Sequence, residues 1–160
     1  MSSVFGMIRA MSAVPRVHLA SPVDNAREIA RMLQAADEQH ADLCVFPELC
    51  LCGYTCGDLL LHPPLLDGCR QALEMLLAAP VHTAFVVGLP LEIGGRLYNC
   101  AVAVCGGRIL GVVPKEHLPN SGEFYERRWF ESGHSAPDTV VLCGQSVPVG
   151  QNLVFDCRRF

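Results

Sequence analysis

The stretch Asp42-Leu43-Cys44-Val45-Phe46-Pro47-Glu48 is a short apolar run that ends in a proline and a carboxylate. An apolar run of this length, closed by a turn residue, is typical of a buried strand. Residues 21–36 precede it, begin with a serine and a proline, and continue with apolar residues at helical spacing. Another short apolar run covers residues 7–14. This order predicts a βαβ unit with Glu48 at the carboxyl end of its second strand.

The rest of the sequence predicts one more helix and a set of strands. The helix begins at residue 63 or 64 and ends near residue 79, where a proline follows. Apolar runs at 84–90, 96–105 and 108–114 are separated by Gly-Gly pairs, which are typical of hairpin turns. After a polar loop we expect short strands near 139–142 and 152–156. The fold class is therefore α/β, in one domain over residues 1–160.

Composition limits the classes of partner. The 160 residues are 51% hydrophobic and 18% charged, with a formal net charge of -4, so the chain has no broad cationic face for nucleic acid or an anionic membrane. We find neither a signal peptide nor an apolar run long enough to span a bilayer. The nine cysteines are an odd number and several lie in apolar runs, which favours reduced thiols and a cytoplasmic location.

Two charged residues stand out because each follows a predicted strand. Glu48 comes after the run at 43–46, and Lys115 comes after the run at 108–114. Each residue has an alternative structural role. A glutamate at a strand end can cap a helix or form a salt bridge, and a lysine can simply face solvent. Together they form a suitable pair for carbonyl chemistry, in which the carboxylate is a general base and the ammonium stabilises an oxyanion.

The cysteines near Glu48 are a weaker signal for chemistry. Cys44, Cys50, Cys52, Cys56 and His62 lack the paired spacing of zinc ligands, so we predict no metal site. A nucleophile made by Cys50 or Cys52 with His117 has no support in their spacing. We interpret these cysteines as small buried residues.

Several segments resemble one known family in the same order along the chain. These are VFPELCLCGYTCGDL at 45–59, LYNCA at 97–101, ILGVVPK at 109–115 and LPNSGEFYE at 118–126. They resemble the nitrilase, or carbon-nitrogen hydrolase, superfamily, and in particular the glutaminase domain of glutamine-dependent NAD+ synthetases. The resemblance implies part of an α-β-β-α sandwich that hydrolyses an amide with a Glu-Lys-Cys triad.

The resemblance also implies roles for individual residues. Glu48 matches the general base, Lys115 matches the oxyanion-stabilising lysine, and Glu123 matches the second glutamate that holds the lysine in place. Tyr54 and Ser121 fall at substrate-binding positions, and Ser121 stands where the synthetase pattern usually has a tyrosine. None of the nine cysteines matches the nucleophile, including Cys157.

From the resemblance we expect an N-terminal portion of a glutaminase domain, inactive alone, that would supply ammonia from glutamine for NAD+ synthesis from nicotinic acid adenine dinucleotide. The synthetase domain is absent from residues 1–160, so ATP and Mg²⁺ would belong outside this chain, and the full-length protein is expected to be a homo-oligomer. Two alternatives stay open. One is a non-catalytic remnant that binds a partner, and the other is a stand-alone amidase for a small amide.

Overall fold

The computed structural model describes residues 7–156. Its larger sheet has five strands in the order β1-β2-β3-β4-β5, and a separate hairpin is formed by β6 and β7. The strands are β1 (Ala10–Ser12), β2 (Leu43–Val45), β3 (Ala84–Ile93), β4 (Arg96–Cys105), β5 (Arg108–Pro114), β6 (Thr139–Leu142) and β7 (Gln145–Pro148). The helices are α1 (Pro22–Glu38) and α2 (Pro63–Leu77), with three short 3₁₀ helices in the connections. The predicted α/β fold class is confirmed.

The first three strands are parallel. Met11 pairs with Cys44, and Cys44 pairs with Phe85. Helix α1 connects β1 to β2 and starts with a proline in its first turn, which agrees with the predicted βαβ unit. The parallel arrangement places Val45, the carboxyl end of β2, beside Val86 near the start of β3.

The last three strands of the large sheet form an antiparallel meander. Asn99 of β4 is opposite Pro90 of β3, and Cys100 is opposite Pro114 of β5. Both Gly-Gly turns have positive φ at each glycine, the conformation that tight hairpins require. The carboxyl end of β5 therefore lies beside Asn99 on β4.

The two helices pack against each other, and α2 also contacts β3. Their apolar faces are fully buried, including Ile29 and Leu33 of α1 and Leu73 of α2. These side chains join the sheet residues in one continuous core. The core holds the sheet in place, and Glu48 and Lys115, described below, lie at or near the ends of its strands.

The expected strand at 152–156 is wrong, because these residues have no regular secondary structure. The final hairpin is formed by β6 and β7, and Cys143 and Gly144 turn the chain with positive φ. Leu153 and Phe155 instead lie against Gly111, where an added Cβ would come within 2.7 Å of Leu153. Among the described residues, no helix has the length and hydropathy to cross a membrane.

Candidate active site

Glu48 is delivered by a tight turn at the end of β2. Phe46 still donates its N–H to the Val86 carbonyl, at 2.9 Å, so the chain stays on the sheet up to that point. Leu49 then adopts a positive φ of 50°, and its carbonyl accepts the Gly53 N–H at 2.7 Å. A leucine in this left-handed conformation is strained and is held by its surroundings. The turn directs the chain away from β2 immediately after Glu48.

Gly88 of β3 lets this turn approach the sheet. A Cβ at Gly88 would lie 2.4 Å from the Leu49 nitrogen and 2.8 Å from the Pro47 carbonyl oxygen. The Gly88 carbonyl accepts the Leu51 N–H at 3.1 Å. Only glycine leaves room for this contact between two backbones.

Lys115 follows β5 and is held by its backbone on both sides. Its N–H donates to the Asn99 carbonyl, and its own carbonyl accepts the Gly133 N–H, each at 2.8 Å. The side chain is partly buried, and its Nζ lies 2.8 Å from Glu48 Oε1 and 2.9 Å from Glu126 Oε1. Lys115 is the single lysine of the sequence, and it bridges two carboxylates.

Glu126 is the buried member of this group. It begins a 3₁₀ helix, Glu126–Arg128, and its side chain is 3% exposed. Tyr54 donates its O–H to Glu126 Oε1 at 2.5 Å. Among the described residues, Glu126 Oε2 has no hydrogen-bond donor. Lys115 and Tyr54 are therefore the partners that compensate for the burial of this carboxylate.

The structure separates the predicted site residues into those that meet and those that do not. Glu48 and Lys115 meet as expected. Contrary to the expectation that Glu123 holds Lys115 in place, Glu123 does not meet them and is exposed. In the described part of the chain, the glutamates that pair with Lys115 are Glu48 and Glu126. The physical reason is that residues 115–126 form an irregular loop whose 3₁₀ turn carries Glu126 inward while Glu123 stays in solvent.

Tyr54 and Ser121 were assigned to substrate binding, and the structure gives them different surroundings. The Tyr54 hydroxyl is bound to Glu126, so this residue supports the carboxylate beside Lys115. Ser121 is exposed, and its carbonyl accepts the Phe124 N–H at 3.2 Å. A contact of either residue with a substrate remains a prediction.

Sequence reasoning missed two further features of the site. Asn99 donates its side-chain N–H to Glu48 Oε1. Its signal was a single amide within the apolar run of the predicted strand. Asp58 accepts hydrogen bonds from Arg128 Nε at 2.7 Å and Trp129 Nε1 at 2.9 Å, which ties the Tyr54 loop to the Glu126 turn. Nothing in the spacing of these residues indicates that contact.

The electrostatics favour a charged lysine. Burial alone would lower the pKa of Lys115, but hydrogen bonds and charges from Glu48 and Glu126 outweigh it and hold the pKa above its ordinary value. Burial and the neighbouring Glu126 raise the pKa of Tyr54 well above its usual range, so its hydroxyl keeps its proton and acts as a donor. The group can therefore present a permanent cation beside the Glu48 carboxylate, whose side chain is 42% exposed.

The described cysteines do not complete a triad with this pair. Cys50 is close in sequence to Glu48, yet its thiol donates to the Gly88 carbonyl at 3.6 Å and burial raises its pKa to about 11. Burial also raises the pKa of Cys100, next to Asn99, far above its ordinary value. A thiol in such surroundings is a poor nucleophile. Cys157 lies outside the described residues.

Comparison with known proteins gives consistent matches. The chain is 39% identical over 152 residues to the glutamine-dependent NAD(+) synthetase of Mycobacterium tuberculosis, which covers 94% of this chain and 22% of that protein. It is 42% identical over 124 residues to the corresponding synthetase of Xylella fastidiosa, over 78% of this chain and 23% of the relative. The chain thus spans less than a quarter of the length of these relatives.

Solved structures agree with the sequence matches. A glutamine-dependent NAD(+) synthetase from Cytophaga hutchinsonii superposes with a TM-score of 0.83 at 28% identity, over 89% of this chain and 25% of that chain. An amidase from Nesterenkonia shares the fold with a TM-score of 0.69 at 22% identity, over 88% of this chain and 55% of that chain. The family model for carbon-nitrogen hydrolases matches residues 15–155. With this match over most of its length, the chain belongs to the carbon-nitrogen hydrolase family.

Proposed function

We propose that these residues form the base-and-lysine half of a glutaminase site, which releases ammonia from the glutamine side chain for NAD+ synthesis. The observation that carries the proposal is the contact of Lys115 Nζ with Glu48 Oε1 at 2.8 Å, in a chain 39% identical to a glutamine-dependent NAD(+) synthetase. Amide hydrolysis requires proton transfers, which a carboxylate can carry out. It also builds negative charge on the carbonyl oxygen, which an adjacent cation stabilises.

In this mechanism Glu48 takes the proton of a cysteine thiol as the sulfur attacks the glutamine amide carbon. Lys115 stabilises the negative oxygen of the tetrahedral intermediate. Glu48 then passes the proton to the leaving nitrogen, and ammonia departs to leave a thioester. Finally Glu48 activates water, which releases glutamate and restores the thiol. Glutamine and water are converted to glutamate and ammonia, and no redox partner is needed.

The proposal assigns the thiol to a cysteine outside the described residues, because no described cysteine thiol forms a hydrogen bond with Glu48 or Lys115. It assigns ATP and Mg²⁺ to a synthetase domain that would join the ammonia to nicotinic acid adenine dinucleotide. Both assignments rest on the family resemblance, and this chain spans 22% of the length of the Mycobacterium tuberculosis relative. An oligomeric full-length protein in the cytoplasm, with no nucleic-acid or membrane partner, is part of the same proposal.

A chimera tests the proposal. Residues 15–155 of this chain replace the matching segment of the Mycobacterium tuberculosis synthetase, so that the rest of that enzyme supplies the missing parts of the site. We expect the chimera to release ammonia from glutamine, and we expect Glu48→Gln to reduce the rate by about 10²–10⁴-fold because the base is lost. Lys115→Ala should reduce it by about 10²–10³-fold because the oxyanion loses its cation. A folded chimera that retains its rate in both variants would overturn the proposal.

A further inference from the structure

Asn99 contacts both Glu48 and Lys115. Its backbone carbonyl accepts the Lys115 N–H at 2.8 Å, and its side-chain N–H donates to Glu48 Oε1. The strand register explains this position, because Asn99 lies one residue from Cys100, which is opposite Pro114 at the end of β5. Asn99 therefore joins the turn after β2 to the end of β5.

An amide at this position is unusual for its surroundings. Asn99 is 3% exposed, and its neighbours Tyr98 and Cys100 on β4 are also buried. Burying an amide costs free energy unless its groups are hydrogen-bonded, so an apolar residue would serve packing better. The Asn99 amide supplies a hydrogen bond to Glu48, which an apolar residue could not make.

The two donors on Glu48 act on the same oxygen. Lys115 and Asn99 both donate to Oε1, and among the described residues no protein group donates to Oε2. The lysine ammonium is a flexible point charge that leaves the plane of the carboxylate free to rotate. The amide of Asn99, fixed on a strand, gives Oε1 a second donor with a fixed direction, and Oε2 is left available to take a proton.

We propose that Asn99 is a positioning residue that orients the Glu48 carboxylate for general-base chemistry. The role rests on the glutaminase function proposed above, in which Glu48 is the base. Asn99 itself does not touch substrate. It acts through Glu48, and its removal frees the carboxylate to move away from Lys115.

The single lysine makes a direct test possible in the 160-residue chain. Lysine labelled at Cε gives one resonance, and its pH titration reports the pKa of Lys115. The charged groups that face this ammonium are Glu48 on the β2 turn and Glu126 on the 3₁₀ turn, with Tyr54 behind Glu126. We expect Glu48→Gln to lower the pKa of Lys115, because an ion-pair partner is lost. We expect Asn99→Ser to lower it in the same direction.

A double-mutant cycle separates positioning from a general structural effect. In the Glu48→Gln background, Asn99→Ser should have no further effect on the pKa of Lys115, since the carboxylate that Asn99 orients is gone. Asn99→Leu, which keeps the number and branching of the side-chain heavy atoms but removes the donor, provides a second variant if the serine variant does not fold. Thr83→Val is the control and should leave the pKa of Lys115 unchanged, because Thr83 is similarly buried just before β3 and bonds to Asp37 and Ala41.

Two results would overturn the assignment. One is an unchanged Lys115 pKa in folded Asn99 variants, and the other is a shift that persists in the Glu48→Gln background, which would mean that Asn99 acts through the Lys115 backbone. The titration requires no turnover. It can therefore fail while glutamine is hydrolysed, and it can succeed where the proposed glutaminase function fails.

Discussion

At the scale of single residues, the site depends on which glutamate supports Lys115. Glu126 is buried with its Oε1 2.9 Å from Lys115 Nζ, whereas Glu123, three positions earlier, is exposed. Both glutamates lie in the same LPNSGEFYE segment, so sequence alone does not distinguish them. The burial of one and the exposure of the other follow from the path of the loop.

The two glutamates form a matched pair for mutation. In the chimera, Glu126→Gln should reduce glutamine hydrolysis by about 10–100-fold, because Lys115 loses a charged partner and shifts from its working position. Glu123→Gln is the control and should leave the rate unchanged. Steady-state ammonia release measures both. The opposite pattern would restore Glu123 as the supporting residue.

Gly88 provides a second test at this scale. Gly88→Ala places a methyl group 2.4 Å from the Leu49 nitrogen, so the turn that carries Glu48 must move. We expect a loss of about 1–3 kcal/mol in the free energy of unfolding, measured by urea titration. Gly150→Ala is the control, because the nearest atom to its added Cβ is 3.9 Å away. Equal effects of the two substitutions would argue against a close backbone contact at Gly88.

At the scale of elements, two loops are tied together at the site. Asp58, in the 3₁₀ helix Gly57–Leu61, binds Arg128 through both of its oxygens, at 2.7 and 2.8 Å. The Arg128 guanidinium and the Trp129 N–H hold the pKa of Asp58 well below its usual range. This contact connects the loop that carries Tyr54 to the turn that carries Glu126.

Limited trypsin digestion tests this connection. Asp58→Ala should speed cleavage after Arg127 or Arg128, because the 3₁₀ turn is no longer anchored and opens more often. Asp67→Ala is the control, since it removes an exposed ion pair with Arg70 within α2, at 3.7 Å. An unchanged cleavage rate in Asp58→Ala would show that the turn is held by other contacts.

The same contact has a defined pH dependence. Because the folded-state pKa of Asp58 is depressed, its stabilisation is fully present above the ordinary aspartate pKa of 3.8 and is lost as the pH falls through the lower folded value. The difference in melting temperature between wild type and Asp58→Asn should therefore disappear only in strong acid. A difference that disappeared near neutral pH would contradict this assignment.

Much of this architecture could be predicted from local sequence. Local sequence accounts for the helix start at Pro22 and for the Gly-Gly turns. It also accounts for the strand ends at which Glu48 and Lys115 lie. The supporting residues could not be predicted in this way. Glu126 and Asn99 depend on where a loop and a strand meet in the folded chain. Residues 152–156 have an apolar pattern typical of a strand, but Leu153 and Phe155 pack on Gly111 instead of pairing.

At the scale of the whole molecule, the chain carries a glutamate and a lysine in contact, within a fold that its relatives have as part of a longer chain. It spans 22% of the glutamine-dependent NAD(+) synthetase of Mycobacterium tuberculosis. If the site supplies ammonia to a separate synthetase reaction, damage to the site should affect only the use of glutamine. Free ammonia would bypass the site entirely.

The most direct measurement is the rate of NAD+ formation by the chimera and its Glu48→Gln variant, with glutamine or with an ammonium salt as the nitrogen source. We predict that Glu48→Gln reduces the glutamine-dependent rate by at least about 100-fold and leaves the ammonia-dependent rate unchanged. The unchanged ammonia rate shows that the synthetase part of the chimera is intact, and an unchanged melting temperature of the variant shows that residues 15–155 are folded. A Glu48→Gln chimera that used glutamine as well as the parent chimera would contradict the central claim that Glu48 is the base of a glutaminase site.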